Sequence, residues 1–194
     1  DHDVVVAAVR QNWRAVEYAA EDLRGNREIG LLAVQQSGHA LQQLGPKLKA
    51  CRDVVMAAVR QNWRTLRYAS TEVFADRELI TVAMQLSGGQ ALQYATQEVR
   101  SDPDVILASV KQSIVTLRYA AQSLTSDATF MLSAVREDVK ALSYAAHELS
   151  SDKVFMLTVV RECGWEAFEH ASVELQGDRD VLLDAVAIDG RALQ

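Results

Sequence analysis

Short apolar stretches recur along the chain at a nearly constant spacing. Residues 4–14 return almost unchanged as residues 54–64, and weaker copies lie halfway between them. The first apolar residue of each stretch lies at Val4, Ile29, Val54, Leu79, Val105, Phe130, Phe155 and Val181, so each step is 25 or 26 residues. A fixed period of this length is typical of tandem repeats that stack into a solenoid. The chain therefore contains eight repeats, the eighth of which is cut short at Gln194.

The polar residues at the borders of these stretches predict two short helices in each repeat. Side-chain oxygens at a helix start accept hydrogen bonds from the first free N–H groups. An Asp or Asn precedes the first helix at Asp1, Asn26, Asp76, Asp102, Asp127, Asp152 and Asp178, and a second capping column runs through Asn12, Ser37, Asn62, Ser87, Ser113, Asp138 and Asp189. In the second helix, Leu66, Ala69, Ser70 and Val73 have the spacing of one buried face.

We therefore expect an all-α fold, an α-solenoid of about eight two-helix repeats that forms one domain over residues 1–194. Isolated helices of about ten residues are marginal in water, so each repeat must bury its apolar face against the next. The pair Gly45-Pro46 is expected to end or kink the second helix of repeat 2. Single-residue insertions near Gly88 and Gly164 are expected to be accommodated in loops. Because the chain begins at Asp1 without a methionine, we expect a part of a longer chain or a processed form.

Composition narrows the class further. Hydrophobic residues make up 49% of the 194 residues, with only 9 Gly and 2 Pro, which excludes a disordered, collagen-like or disulfide-scaffold chain and argues against an all-β fold. Cys51 and Cys163 show no CxxC spacing, which favours a reducing intracellular or organellar interior. The longest apolar run, residues 4–9, is far shorter than the ~20 residues of a transmembrane helix, so none is expected.

The charge pattern bears on the choice of partner. The net charge is −6, and no basic excess indicates a nucleic-acid-binding protein. Residues 1–97 carry 11 Lys or Arg and 10 Asp or Glu, whereas residues 98–194 carry 9 and 16. The two halves therefore present different electrostatic fields, which either orient a partner or reflect drift of surface charge along the repeats.

Residues 55–70 carry a resemblance to a known family. The run Val-x-Ala-Ala-Val-Arg-Gln-Asn-x-x-x-Leu-x-Tyr-Ala-Ser resembles a domain-of-unknown-function repeat that occurs in tandem in many protist and algal proteins and in some bacterial ones. The resemblance extends over all eight repeats. It implies a helical-repeat region and supplies no catalytic residues or cofactor.

Aromatic residues fall at fixed positions within the repeat. The tyrosines Tyr18, Tyr68, Tyr94, Tyr119 and Tyr144 share one column, and Trp13, Trp63 and Trp165 share another at the predicted start of the second helix. The tyrosines form either a ladder for a partner helix or ligand, or rings that pack between adjacent repeats, and their place beside the buried stripe favours packing. The tryptophans are either binding anchors or plugs of the corner between the two helices.

Charged residues form two further columns. A basic column contains Arg10, Arg60, Lys111, Arg136 and Arg161, with Arg14 and Arg64 beside it, and an acidic column contains Asp22, Glu72, Glu98, Glu148 and Glu174. We expect the acids to lie near the end of the second helix and to pair with arginines of neighbouring repeats, since they would otherwise oppose the helix dipole. The alternative is that Arg10, Arg60 and Arg64 form a docking strip for an acidic partner.

These observations predict a non-catalytic scaffold or protein–protein interaction module. No catalytic motif, cofactor site or metal-ligand set is found, although His147 and His170 lie in adjacent repeats. The partner-binding candidates are Arg10, Trp13, Arg14, Arg60, Trp63, Arg64 and the five tyrosines. Two alternatives remain open: a peripheral accessory subunit of a large organellar photosynthetic or respiratory complex, which implies peripheral association with a membrane complex, and the repeat region of an enzyme or effector whose catalytic domain lies outside this chain.

Overall fold

The computed structural model describes residues 1–189, and this part of the chain is helical throughout, with no strand. It divides into two compact units, Asp1–Val99 and the residues from Arg100 onward. Each repeat opens with a main α-helix of 8–11 residues. These main helices are His2–Gln11, Arg27–Gln36, Arg52–Gln61, Arg77–Ser87, Pro103–Val110, Ala128–Glu137, Lys153–Cys163 and Arg179–Ile188. The all-α repeat architecture predicted from the sequence is confirmed.

The predicted Asp and Asn residues cap the main helices. The Asn26 side chain, for example, accepts hydrogen bonds from the backbone N–H groups of Glu28 and Ile29. All seven predicted residues of this column accept such a bond. In repeat 3, Cys51 occupies the cap position without a side-chain hydrogen bond. Side-chain capping therefore marks where seven of the eight repeats begin.

In repeats 1–7, the second half is divided into two pieces rather than forming one α-helix. A 3₁₀ helix of five or six residues comes first: Trp13–Tyr18, Gly38–Gln43, Trp63–Tyr68, Gln90–Tyr94, Ile114–Tyr119, Val139–Tyr144 and Trp165–His170. A short α-helix follows at Glu21–Arg24, Pro46–Lys49, Gln97–Arg100, Gln122–Thr125, His147–Ser150 and Val173–Gly177, with a 3₁₀ turn at Thr71–Ala75 in repeat 3. Two residues in extended backbone conformation, such as Ala145 and Ala146, separate the pieces.

The second capping column marks the start of the 3₁₀ helix, with differences between repeats. Asn12, Asn62 and Asp138 each accept a backbone hydrogen bond there. Ser37 and Ser113 occupy the cap position without a side-chain bond. Ser87 instead ends its main helix, and its hydroxyl accepts from the Ala91 N–H. Asp189 follows the last main helix, and the second half of repeat 8 lies outside the described residues.

One backbone hydrogen bond joins each of repeats 2–7 to the repeat before it. Its donor is the N–H of the second residue of the extended break, and its acceptor is a carbonyl at the end of the preceding short helix. The six bonds are Gly45 to Arg24, Ser70 to Lys49, Thr96 to Phe74, Ala121 to Arg100, Ala146 to Thr125 and Ser172 to Ser150, at 2.8–3.3 Å. The break in the second half of each repeat therefore exposes an N–H that a continuous helix would use internally.

Small and branched apolar residues fill the space between repeats. The leucine column of the 3₁₀ helices, with Leu41, Leu66, Leu92, Leu117 and Leu142, is at most 4% exposed. Ala33, Ala58, Ala83 and Ala134 of the main helices are fully buried, which permits close approach of neighbouring helices. At Gly38 the backbones approach closely enough that an added Cβ would lie 2.6 Å from the carbonyl oxygen of Ala58.

Two irregularities expected from the sequence have different outcomes. The sequence predicted an end or kink at Gly45-Pro46 within a helix. The break is present in all of repeats 1–7, whose second halves the structure describes, and Pro46 begins the short helix, where its missing N–H costs nothing. The insertions lengthen two main helices to 11 residues. They are followed by Gly88 at φ 60° and Gly164 at φ 92°, backbone conformations that glycine adopts without strain.

We predict that Ala146→Pro destabilises the stack by about 1 kcal/mol, since it deletes the N–H that bonds to Thr125. The native φ of −63° at this residue already suits proline, so the decrease in the free energy of unfolding measures the missing hydrogen bond. Urea unfolding followed by circular dichroism measures the effect. The matched control is His147→Pro, which places proline where Pro46 stands in repeat 2. Equal unfolding midpoints for the two variants would show that the bond contributes nothing.

Candidate functional site: the tryptophan edge

Main helices of neighbouring repeats end at the same edge of the stack. The side chain of Gln36, the last residue of its helix, reaches the end of the helix in repeat 1. Gln61 does the same to repeat 2. We call the part of this edge formed by Arg10, Trp13, Arg14, Arg60, Trp63 and Arg64 the tryptophan edge. All six belong to the first compact unit.

The Gln36 side chain clamps the start of the first 3₁₀ helix. Its Oε1 accepts a hydrogen bond from the Trp13 N–H at 3.0 Å, while its Nε2 donates to the carbonyls of Val9 at 2.5 Å and Arg10 at 3.2 Å. Only an amide supplies both donor and acceptor in this arrangement. Gln61 repeats it, accepting from the Gly38 N–H at 2.8 Å and donating to the Gln35 carbonyl at 2.6 Å. No role for these two glutamines was predicted from the sequence, although they lie 25 residues apart at the same position of the repeat.

Each tryptophan of repeats 1 and 3 lies beneath an arginine. The guanidinium carbons of Arg14 and Arg64 are both 4.8 Å from the ring centroids of Trp13 and Trp63. The indoles are half-buried and the arginines exposed. Asn12 and Asn62 fix the backbone by accepting from the N–H of the arginine at 3.0 and 3.1 Å. The same cluster is therefore built twice, 50 residues apart.

The third tryptophan has different surroundings. The Trp165 ring stacks on Phe168 with 5.1 Å between centroids, and its backbone N–H donates to the Asp189 carboxylate at 3.0 Å. The next residue is Glu166 rather than arginine. The tryptophan column thus carries the arginine pairing only in the first unit.

Two of the three basic-column residues in the second unit, Lys111 and Arg136, form ion pairs, whereas Arg161 and the basic-column residues of the first unit form none within residues 1–189. Arg136 makes two hydrogen bonds of 2.8 Å to Glu162, and Lys111 lies 3.4 Å from Glu137. In both pairs the acid follows the base by 26 residues. The corresponding positions for Arg10 and Arg60 hold Gln36 and Leu86. Arg10, Arg14, Arg60 and Arg64 accordingly form no ion pair within residues 1–189.

The tyrosine column follows the surface between successive short helices. Tyr94 packs on Phe74 of the preceding repeat with 5.9 Å between ring centroids, and Tyr68 lines a groove of about 570 Å³ with Pro46 and Lys49. Tyr119 and Tyr144 are half-buried. Tyr18, in the first repeat, is 87% exposed. This placement favours packing between repeats over an exposed aromatic ladder.

The expected ladder of acidic residues near a helix C-terminus is wrong. Because the second half of each repeat is broken, these residues lie in the first turn of the short helical segment, where the helix dipole stabilises a negative charge. Asp22, Glu72, Glu98, Glu148 and Glu174 form no ion pair within the described part of the chain.

Ion pairs between repeats use other residues, most of them at the start of the main helices. Arg27 contacts Asp53 at 2.6 Å, and Arg52 contacts Asp76 at 2.7 Å and also Glu78. Lys153 contacts Asp184 at 2.8 Å. Ion pairs therefore link neighbouring repeats, as expected from the sequence, but through carboxylates outside the acidic column.

The remaining chemistry-bearing residues are separate from the tryptophan edge. Cys51 and Cys163 are free thiols, and burial raises the pKa of Cys163. His147 lies 3.4 Å from Ser151 within its own short segment. Across residues 1–189, no group of three or more His, Cys, Asp or Glu side chains is arranged to hold a metal ion. None of the helices in this range has the length and apolar character required to span a membrane.

The stacked, in-register repeats define a tandem helical-repeat protein. A family model described as "Domain of unknown function (DUF4116)" matches residues 1–49, 26–74, 76–125, 127–176 and 152–194. The chain therefore belongs to this family, which confirms the resemblance, and each full match spans two of the 25-residue repeats. Comparison with curated proteins gives no match, and comparison with solved structures gives none either.

We predict that Gln36→Leu, which introduces the type of residue found at position 86, lowers the free energy of unfolding by about 1–2 kcal/mol through loss of the clamp. Hydrogen exchange at the Trp13 N–H should accelerate, because its acceptor is removed. The control is Gln112→Leu in repeat 5, where the exposed glutamine side chain makes no hydrogen bond within residues 1–189. Unchanged exchange at Trp13 would contradict the clamp.

A second prediction concerns acid stability. The hydrogen bonds from Arg136 lower the pKa of Glu162, so folding is favoured at pH values above the pKa of this group in the unfolded chain. This contribution is lost as the pH falls through the lowered pKa. Thermal melting at pH 7 and at progressively lower pH should show a smaller acid-induced decrease in Tm for Glu162→Gln than for the parent. An identical pH dependence would rule out the contribution.

Proposed function

We propose that this chain is a non-catalytic scaffold that binds other proteins through exposed side chains repeated along its edges. The observation that carries the proposal is the duplicated cluster of the tryptophan edge, in which Arg14 and Arg64 lie over Trp13 and Trp63 in the same geometry. Tryptophan and arginine are the side chains most enriched among residues that dominate protein–protein binding energy. Their repetition supplies two equivalent contacts to one partner.

The backbone supports this role because it holds the clusters in place before any partner arrives. The Trp13 N–H donates a hydrogen bond to Gln36 of the next repeat, and the N–H of the following residue, Arg14, donates to Asn12 of its own repeat. A preorganised surface loses less conformational entropy on binding than a flexible one. Stacked repeats therefore suit the presentation of side chains at regular intervals.

The test is recovery of the protein from its native source after chemical cross-linking, with identification of the attached proteins by mass spectrometry. We expect reproducible partners that are lost from the double variant Trp13→Ala/Trp63→Ala and retained by Tyr18→Ala, which removes an exposed ring elsewhere. Recovery of the parent without any specific protein would overturn the proposal. Recovery of the subunits of one membrane-associated complex in fixed proportion would identify the accessory-subunit alternative.

A further inference from the structure

We propose that the tryptophan edge binds an acidic segment of a polypeptide, with carboxylates contacting Arg10 and Arg14 in one cluster and Arg60 and Arg64 in the other. This inference rests on the proposed function and specifies the chemistry of the partner. It starts from a difference between positions of the basic column: Lys111 and Arg136 in the second unit are neutralised by carboxylates of the chain, whereas Arg10 and Arg60 in the first unit have no such partner within residues 1–189.

The second unit shows that residues of the basic column can bind carboxylates. Arg136 donates one hydrogen bond of 2.8 Å to each carboxylate oxygen of Glu162. This two-bond geometry is the one in which a planar guanidinium binds a carboxylate most specifically. Lys111 meets Glu137 in the equivalent place. A carboxylate at this position is thus compatible with the local backbone and its neighbours. In the first unit, the carboxylate must come from another molecule.

The residues at the acid position explain why the first unit leaves its arginines unpaired. Gln36 uses its amide to clamp the preceding repeat, a role that needs an N–H donor and excludes glutamate. Leu86 has no polar group and remains 50% exposed. Arg10 and Arg60 are therefore each deprived of an intrachain partner while the supporting backbone is retained.

The number and distribution of the arginines favour a short acidic peptide over an extended polyanion. The guanidinium groups of Arg14 and Arg64 lie over the indole rings of Trp13 and Trp63, and a planar guanidinium can bind a carboxylate through two N–H donors. Proteins that bind nucleic acids tightly neutralise about 6–10 phosphates. The edge offers four arginines, divided between two clusters, on a chain whose net charge is −6.

Repeat spacing sets the length of the partner segment. Packed helices lie ~8–10 Å apart, so clusters two repeats apart are separated by roughly 20 Å. An extended peptide rises ~3.3 Å per residue and covers this distance in about six residues. We therefore expect two groups of acidic residues separated by about six positions.

The experiment measures fluorescence anisotropy of a labelled peptide with two Glu-Glu-Glu groups joined by about six Gly and Ser residues, titrated with the full chain at low salt. An otherwise identical peptide with Gln in place of Glu is the ligand control. We expect saturable binding of the acidic peptide that weakens as salt is added. The double variant Arg10→Glu/Arg60→Glu should bind at least about tenfold more weakly. Absence of saturable binding, or equal binding of the Gln peptide, would overturn the inference.

Two matched variants separate the edge from general electrostatics. Arg161→Glu makes the same change in the same column of the second unit, beside Glu162 and Glu166, and should alter the affinity less than about twofold. Leu86→Glu places a carboxylate 26 residues after Arg60, as in the native pairs, and should weaken binding several-fold, whereas Leu86→Gln should not. Equal losses in Arg161→Glu and Arg10→Glu/Arg60→Glu, or no difference between the two Leu86 variants, would contradict the proposed site. Circular dichroism and urea unfolding confirm that each variant is folded.

Other polyanions are included as competing outcomes. A single-stranded oligonucleotide, or vesicles containing phosphatidylserine, that bound more tightly than the peptide and through the same arginines would replace the proposed partner class. Native partners that remain attached to Arg10→Glu/Arg60→Glu would leave the scaffold role intact and overturn only this inference. Conversely, binding of the acidic peptide with no protein partner recovered from the native source would support the acidic-segment site and overturn the scaffold role.

Discussion

The stack depends on one backbone hydrogen bond that crosses each of the six described junctions between consecutive repeats. This bond requires a free N–H in the second half of the repeat, and hence the two-residue break that divides this half into a 3₁₀ helix and a short helical segment. The break also decides where side chains lie. It brings Tyr94 against Phe74 of the previous repeat, and it moves the acidic column from the end of a helix to the start of one. The backbone conformation of the second half of a repeat is therefore determined by its hydrogen bond to the neighbouring repeat.

Much of the architecture was predictable because its signals are local. The 25-residue period, the caps at residues such as Asn26 and Asp127, and the buried columns all follow from residue type and spacing. The break was not predictable in the same way, because a pair such as Ala145-Ala146 has the highest helix propensity of any sequence. A tertiary hydrogen bond and packing between repeats override that propensity. The misplaced acidic column followed directly from this one error.

The residues of the candidate site could be predicted from the sequence, but the contacts that hold them and leave the arginines unpaired could not. The repeated Asn-Trp-Arg runs identified Trp13 and Trp63 from the sequence, but the role of Gln36 depends on knowing that successive main helices end side by side. Likewise, the missing carboxylates opposite Arg10 and Arg60 become meaningful only when native pairs 26 residues apart are seen elsewhere in the chain. Comparing repeats with one another thus supplied information that no single repeat contains.

One position of the repeat, at or next to the end of the main helix, serves two purposes. It holds the glutamine clamp in Gln36 and Gln61, and an ion-pair acceptor in Glu137 and Glu162. Glutamine and glutamate codons differ by a single base. One point mutation can therefore convert a repeat that neutralises its neighbour's arginine into one that leaves it available, while the core is untouched. After tandem duplication, a gene of this kind can redistribute its exposed charge repeat by repeat without having to evolve a new fold.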